Sequence, residues 1–144
     1  MILHLKNRLV IYMLNGTAAP SVLGQVVKRD AANRTYVAVG AGENQAMGVV
    51  GLAGIAVGSY VPIVVSGLAQ VLLASDKTAA AGGANFVFLT VDNVEDGRAA
   101  GCTYAGGTFA QGIGSALDTA TAGALVWTSV FFSKTNDVVV SPPE

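Results

Sequence analysis

Apolar positions along this chain fall into short runs broken by Gly, Ser and Asn, and the longest runs from Ala46 to Leu73, AMGVVGLAGIAVGSYVPIVVSGLAQVLL. It holds no charged residue, and the nearest are Glu43 before it and Asp76 after it. Two structures suit such a stretch: a membrane helix, or short strands buried on both faces. Gly48, Gly51, Gly54, Gly58 and Gly67 interrupt it, and Pro62 sits in its most apolar part. Each internal Gly costs a helix about 1 kcal/mol and Pro about 3, whereas β-branched residues between Gly and Ser turns suit strands. The pattern predicts strands over Met47–Val50, Tyr60–Val65 and Leu68–Leu73, with a turn at Gly58-Ser59. Pro62 then needs an edge or a bulge, because it has no N–H for a ladder. A run of about 20 apolar residues is long enough to span a bilayer. No Lys or Arg cluster flanks either end, however, and strands fit better.

Residues 1–20 have a different texture. His4, Lys6 and Arg8 alternate with Leu3, Leu5 and Asn7, and Leu9–Leu14 is continuously apolar. As a secretory signal, the LVIYML core falls short of the usual apolar run of about 7–15 residues. Two readings stay open. One is an extended N-terminal arm over 1–20 that docks by adding a strand to a neighbour's sheet, with a single β domain over 21–144. Leu3, Leu5, Leu9, Ile11 and Tyr12 would then be its partner-binding anchors. The other makes the segment the first strand of its own domain.

Asn15-Gly16 is a turn signal. VLGQVVKRDAANRTYVAVG reads as a hairpin, with a solvated corner at Lys28-Arg29-Asp30, a turn at Asn33-Arg34 and a return strand over Thr35–Val39. Further strands are expected at Phe86–Val91, Phe109–Ile113 and Leu125–Phe132, with a turn at Gly114-Ser115 and a short last strand in DVVV near the end. Asp92–Arg98 carries the densest charge and is expected to face solvent or a polar partner. Gly48, Gly58, Gly67, Gly114 and Gly123 read as corners. Short strands at this spacing imply an all-β fold, a compact β-sandwich or small barrel.

Composition sharpens this. Only 12% of the 144 residues are charged against 52% hydrophobic, where a soluble domain usually carries about 25% charged. A monomer so poor in charge leaves large apolar patches in water, which marks contact with other subunits. A formal net charge of −1 gives no basic field for nucleic acid or acidic lipid. Cys102 is the lone cysteine, which rules out an intrachain disulfide.

No catalytic, cofactor or metal site can be assembled from the motifs. His4 is the single histidine, so one chain makes no His-based triad or zinc site. Cys102 reads as a small buried hydrophobe. Asp92–Gly97 has a trace of a calcium loop, but Val94 and Thr103 stand where position three and the twelfth-position Glu belong. Gly40-Ala41-Gly42 and Gly112-Ile113-Gly114 lack the third Gly of a dinucleotide fingerprint. Trp127, Phe131, Phe132 and Tyr104 are spaced for core packing.

Taken together, GQVVKRD, MGVVG, GSYVPIVVSGLAQV, DGRA and IGSALDTATAGALVWTSVFF resemble bacteriophage capsid cement (head decoration) proteins, over roughly Gly24 to Phe132. The resemblance implies a compact β domain of tulip or sandwich type, commonly a homo-trimer on the outer capsid surface. It also implies the major capsid protein as partner, bridging of neighbouring capsomers, synthesis in the host cytoplasm, and no cofactor, membrane or direct nucleic-acid contact. The competing class is a carbohydrate- or receptor-binding module of a phage head or tail fibre, which calls for exposed Trp or Tyr in a groove.

Overall fold

The computed structural model of the chain describes residues 8–79, 88–102 and 111–132. These form β1 (Leu9–Asn15), β2 (Val26–Arg29), β3 (Thr35–Ala38), β4 (Gly48–Val50), β5 (Tyr60–Leu72), β6 (Phe88–Val91), β7 (Ala99–Cys102), β8 (Gly112–Ala116) and β9 (Leu125–Phe131). The described residues are thus all-β. No helix among them is long and apolar enough to cross a membrane, and the apolar run of 46–73 becomes β4 and β5.

Neighbouring pairs of β-branched residues dictate the layout. Val26-Val27, Val49-Val50 and Ile63-Val64 are fully buried at both positions. Successive strand side chains point to opposite faces, so each pair requires a core on either side. Val27, Val50 and Ile63 join Met13, Tyr36 and Val61 in one core. Val26, Val49 and Val64 join Val71, Leu73, Leu89, Ile113, Val126 and Val130 in a second.

The strands make one sheet in the order β1-β3-β2-β4-β5-β9-β8-β6-β7. β1 also pairs antiparallel with β5, from Leu14↔Tyr60 to Leu9↔Ser66, and this closes the first five strands of that order into a barrel around the first core. The Val26–Arg29 and Thr35–Ala38 hairpin forms as expected, with Arg34 at φ 55 in its turn.

β5 is shared. Its first half is a stave of the barrel, between β1 and β4, and its second half pairs with β9 from Ser66↔Phe131 to Leu72↔Leu125. The two strands expected at 60–65 and 68–73 are therefore one strand of 13 residues. Gly67, at φ 101, carries it through a kink that a side chain would resist. Val64 and Ala69 have opposite parity yet reach the same core, which places the change of face between them. From β9 the sheet continues through β8, β6 and β7, and a parallel bridge, Leu73↔Ala99, brings the start of β7 back to the end of β5.

Pro62 is tolerated because β4 stops beside it. Its carbonyl accepts from the Gly51 N–H at 2.8 Å, one residue past the end of β4, so the missing N–H also faces beyond the ladder. Of the five glycines expected at corners, Gly58 and Gly123 lie in turns. Gly48, Gly67 and Gly114 lie inside β4, β5 and β8 instead. The turn expected at Gly114-Ser115 is absent because β8 runs straight past β9, so close that a Cβ on Gly114 would run into the Ser129 carbonyl.

Candidate contact surfaces

Of the five residues expected to anchor an arm, Leu3 and Leu5 lie outside the described residues, as does DVVV. Leu9, Ile11 and Tyr12 lie in β1, which is a stave of its own barrel, so residues 9–15 follow the second of the two readings. Alternation separates Ile11 from Tyr12, and Leu9 lies beyond the register shift between Leu9 and Val10. Ile11 packs against the barrel core, while Leu9 and Tyr12 are 55% and 57% exposed.

The two edges of β1 differ. One is paired with β5 along its length, whereas β3 meets the other only at Leu14↔Thr35 and Asn15↔Tyr36. The Leu14 N–H donates to the Arg34 carbonyl at 2.6 Å on that second side. Alternate residues send their main-chain groups to the same side, so those of Val10 and Tyr12 also turn away from β5. Pro62, opposite Tyr12, agrees with this, having no N–H to offer. Beyond Leu14, no strand among the described residues meets this edge.

A second surface spans β5, β9 and the end of β8. Directly paired antiparallel residues share a face. Leu9, Ser66 and Phe131 thus form one row, Leu68, Ser129 and Ser115 the next, and Gln70 and Trp127 the third. Leu117 joins the third row, its N–H donating to the Trp127 carbonyl at 2.8 Å. Leu9, Leu68, Leu117, Trp127 and Phe131 are all exposed, and no row carries a charge. Trp127 and Phe131, expected in the core, are 42% and 46% exposed. In LVWTSVF the odd positions face out and Val126, Thr128 and Val130 face in. Phe132 does pack against the second core, and Tyr104 lies outside the described residues.

Polar groups serve mostly as fasteners. Asn15, buried, donates to the Ala19 and Ile55 carbonyls at 2.9 and 3.1 Å and accepts from the Thr17 N–H at 2.9 Å. Gln111 exchanges two bonds of 2.7 Å with the Ala46 main chain, in the manner of a paired strand residue. The Asp92–Arg98 loop is less solvated than its charge suggested. Asp92 is fully buried, and its Oδ2 accepts from the Val94 and Glu95 N–H groups at 3.0 and 2.7 Å, which holds the loop as a turn. Glu95 accepts from the Ser75 hydroxyl and amide, which hold its carboxyl below the usual range. Among the described residues, no group of three or more His, Cys, Asp or Glu is placed to hold a metal ion. His4 and the Cys102 side chain lie outside them.

No protein-family model matches the chain, and no curated protein matches it. The strand character of β9 was legible in the sequence, but not that Trp127 and Phe131 face outward from it. That β3 meets β1 only at Leu14 and Asn15 was not legible either, because it depends on where β3 ends.

Proposed function

We propose that the chain is a structural virion protein, a capsid cement protein that binds the outer surface of a phage head and bridges neighbouring capsomers. The observation that supports this most is the uncharged face of β5, β9 and β8, with Trp127 and Phe131 exposed upon it. Interface centres are depleted in charge and enriched in aromatic side chains. Repetition of one such contact over a lattice gives strong retention from a modest single affinity. The partner in this reading is the major capsid protein, and assembly of the subunit, a trimer by the resemblance, multiplies the faces presented per particle.

Negative-stain imaging of the protein mixed with expanded and unexpanded heads tests this. Regular added density on expanded heads is expected; bare heads of both kinds contradict it. A second reading, a carbohydrate- or receptor-binding module of a head or tail fibre, draws on the exposed Trp127 indole with Gln70 directly across from it. Quenching of Trp127 fluorescence by glycans, with heads left bare, would favour that reading instead.

A further inference from the structure

We propose that the Asp92–Arg98 loop is a strap across the joint between the barrel and the second core, and that acid lifts its tip, Val94–Asp96, while its base and the strands stay in place. The inference rests on contacts within the chain and stands or falls apart from the capsid reading.

Base and tip are held by different kinds of bond. At the base, the Asp92 N–H donates to the Arg98 carbonyl at 2.9 Å, and the Asp92 carbonyl accepts from the Gly42 N–H at 2.8 Å. Gly97, at φ 68, sits between two barrel residues, donating to the Val39 carbonyl at 2.7 Å and accepting from the Val26 N–H at 2.9 Å. These are main-chain bonds, and mild acid does not alter them. At the tip, every hydrogen bond of Val94, Glu95 and Asp96 among the described residues has a carboxylate oxygen as its acceptor. Asp92 Oδ2 holds the Val94 and Glu95 amides, and its Oδ1 has no partner among the described residues, so both bonds hang on one atom. Asp96 Oδ1 accepts from the Ala41 N–H at 2.9 Å, in the barrel loop between β3 and β4. Glu95 accepts from the Ser75 N–H at 3.0 Å and from its hydroxyl, just past β5 and two residues from Leu73 of the second core. The tip therefore ties the barrel loop to the end of β5. Burial does not hold it in place of these bonds, since Val94 is 68% exposed.

A hydrogen bond to an ionised acceptor is about twice as strong as a neutral one. Protonation weakens all of these ties by the same means, and ordinary Asp and Glu carboxyls take up protons near about pH 4. For Glu95 the sign is definite. The Ser75 bonds hold its carboxyl below the ordinary value of 4.5, so this tie is present above that value and is lost as pH falls below it. The charged groups that face Glu95 are Arg98, its Nε 4.0 Å away, and Lys77, which is 3.5 Å from Asp76. Glu43, two residues from Ala41, is paired with Lys28 at 2.6 Å. The lysines and arginines keep their charge in acid. Asp76 and Glu43 do not, but neither bonds to the tip, and substitutions read at neutral pH separate their titration from that of the strap.

Backbone order parameters from nitrogen-15 relaxation of the whole chain test this. Val94, Glu95 and Asp96 should be near ~0.85 around pH 7 and fall below ~0.6 around pH 3, while Gly97 and β5 stay rigid. Glu95→Gln combined with Asp96→Asn should loosen Glu95 and Asp96 already at neutral pH, because both neutral amides accept more weakly. If that variant fails to fold, the wild-type comparison at the two pH values decides alone. A tip that stays rigid in acid, a tip that loosens only together with β5, or a folded variant as rigid as the wild type at neutral pH overturns the proposal.

Discussion

The β2–β3 hairpin and the β5–β9 pair are both antiparallel and both reach solvent, but their outward positions differ in kind. The hairpin carries Lys28, Arg29, Asp30 and Arg34, and Lys28 is held by Glu43 at 2.6 Å. The β5–β9 pair is longer, and its outward rows carry Leu68, Gln70, Trp127, Ser129 and Phe131. A shortage of charge does not by itself produce this contrast, since the chain places four charged residues in a nineteen-residue hairpin, 22–40. Apart from Lys28 and Arg29 at the end of β2, the described charges lie outside the strands, and the outward face of β5 and β9 stays neutral. Neutral strand faces are suited to burial against another protein.

The strongest challenge to the comparison lies beneath both regions. If the two cores are one cooperative unit joined by β5, Ile63→Ala in the barrel and Ile113→Ala in the second core should each cost about 2–5 kcal/mol and move the same single urea transition. Two separate transitions would split the molecule in two. Gly114→Val should cost about 3 kcal/mol or more, because its side chain meets the Ser129 main chain rather than a mobile neighbour; equilibrium unfolding measures it.

At the surfaces, Trp127→Lys should leave unfolding within about 0.5 kcal/mol of the wild type while head binding falls about tenfold or more. Arg29→Ala, on the charged hairpin, should change neither, and cosedimentation reads both.

Smaller effects come from single polar groups. The Tyr36 hydroxyl is buried in the barrel core without a partner among the described residues, and burial pushes its pKa from 10.0 up to about 12. A raised folded pKa keeps its stabilisation below the unfolded value and loses it as pH rises, so the barrel should weaken between about pH 10 and 12. Tyr36→Phe should remove that alkaline limb at little cost in stability near neutrality, because no hydrogen bond is lost. The smallest effect is at Glu95. Its lowered pKa means that the contact with Ser75 is present above the ordinary carboxylate range and is lost as pH falls. Ser75→Ala should raise the Glu95 carboxyl toward its ordinary value, as read by NMR titration.

Much of the strand content was legible because it depends on neighbours in sequence. The VLGQVVKRD…NRTYVAV hairpin and the β9 strand follow from alternation and turn residues. What depends on distant packing was not legible. Ser66-Gly67 and Gly114-Ser115 look like turns, but strands pass through both, since Gly there serves a kink and a close crossing. Trp127 and Phe131 look like core residues because hydrophobicity says nothing of which face of β9 is covered. Leu9–Asn15 looked as much like an arm as a strand until β5 was placed beside it. The side-chain bonds of Asn15 to Ile55 and of Gln111 to Ala46 gave no signal, because those partners are far along the chain.

Hydroxyl-radical footprinting of the free and head-bound protein tests the neutral face most directly. Oxidation of Trp127 and Phe131 should fall severalfold on binding, with Tyr60 on the barrel's outer side as the internal reference. Equal oxidation of Trp127 in the two states, on heads that carry the protein, would contradict the account.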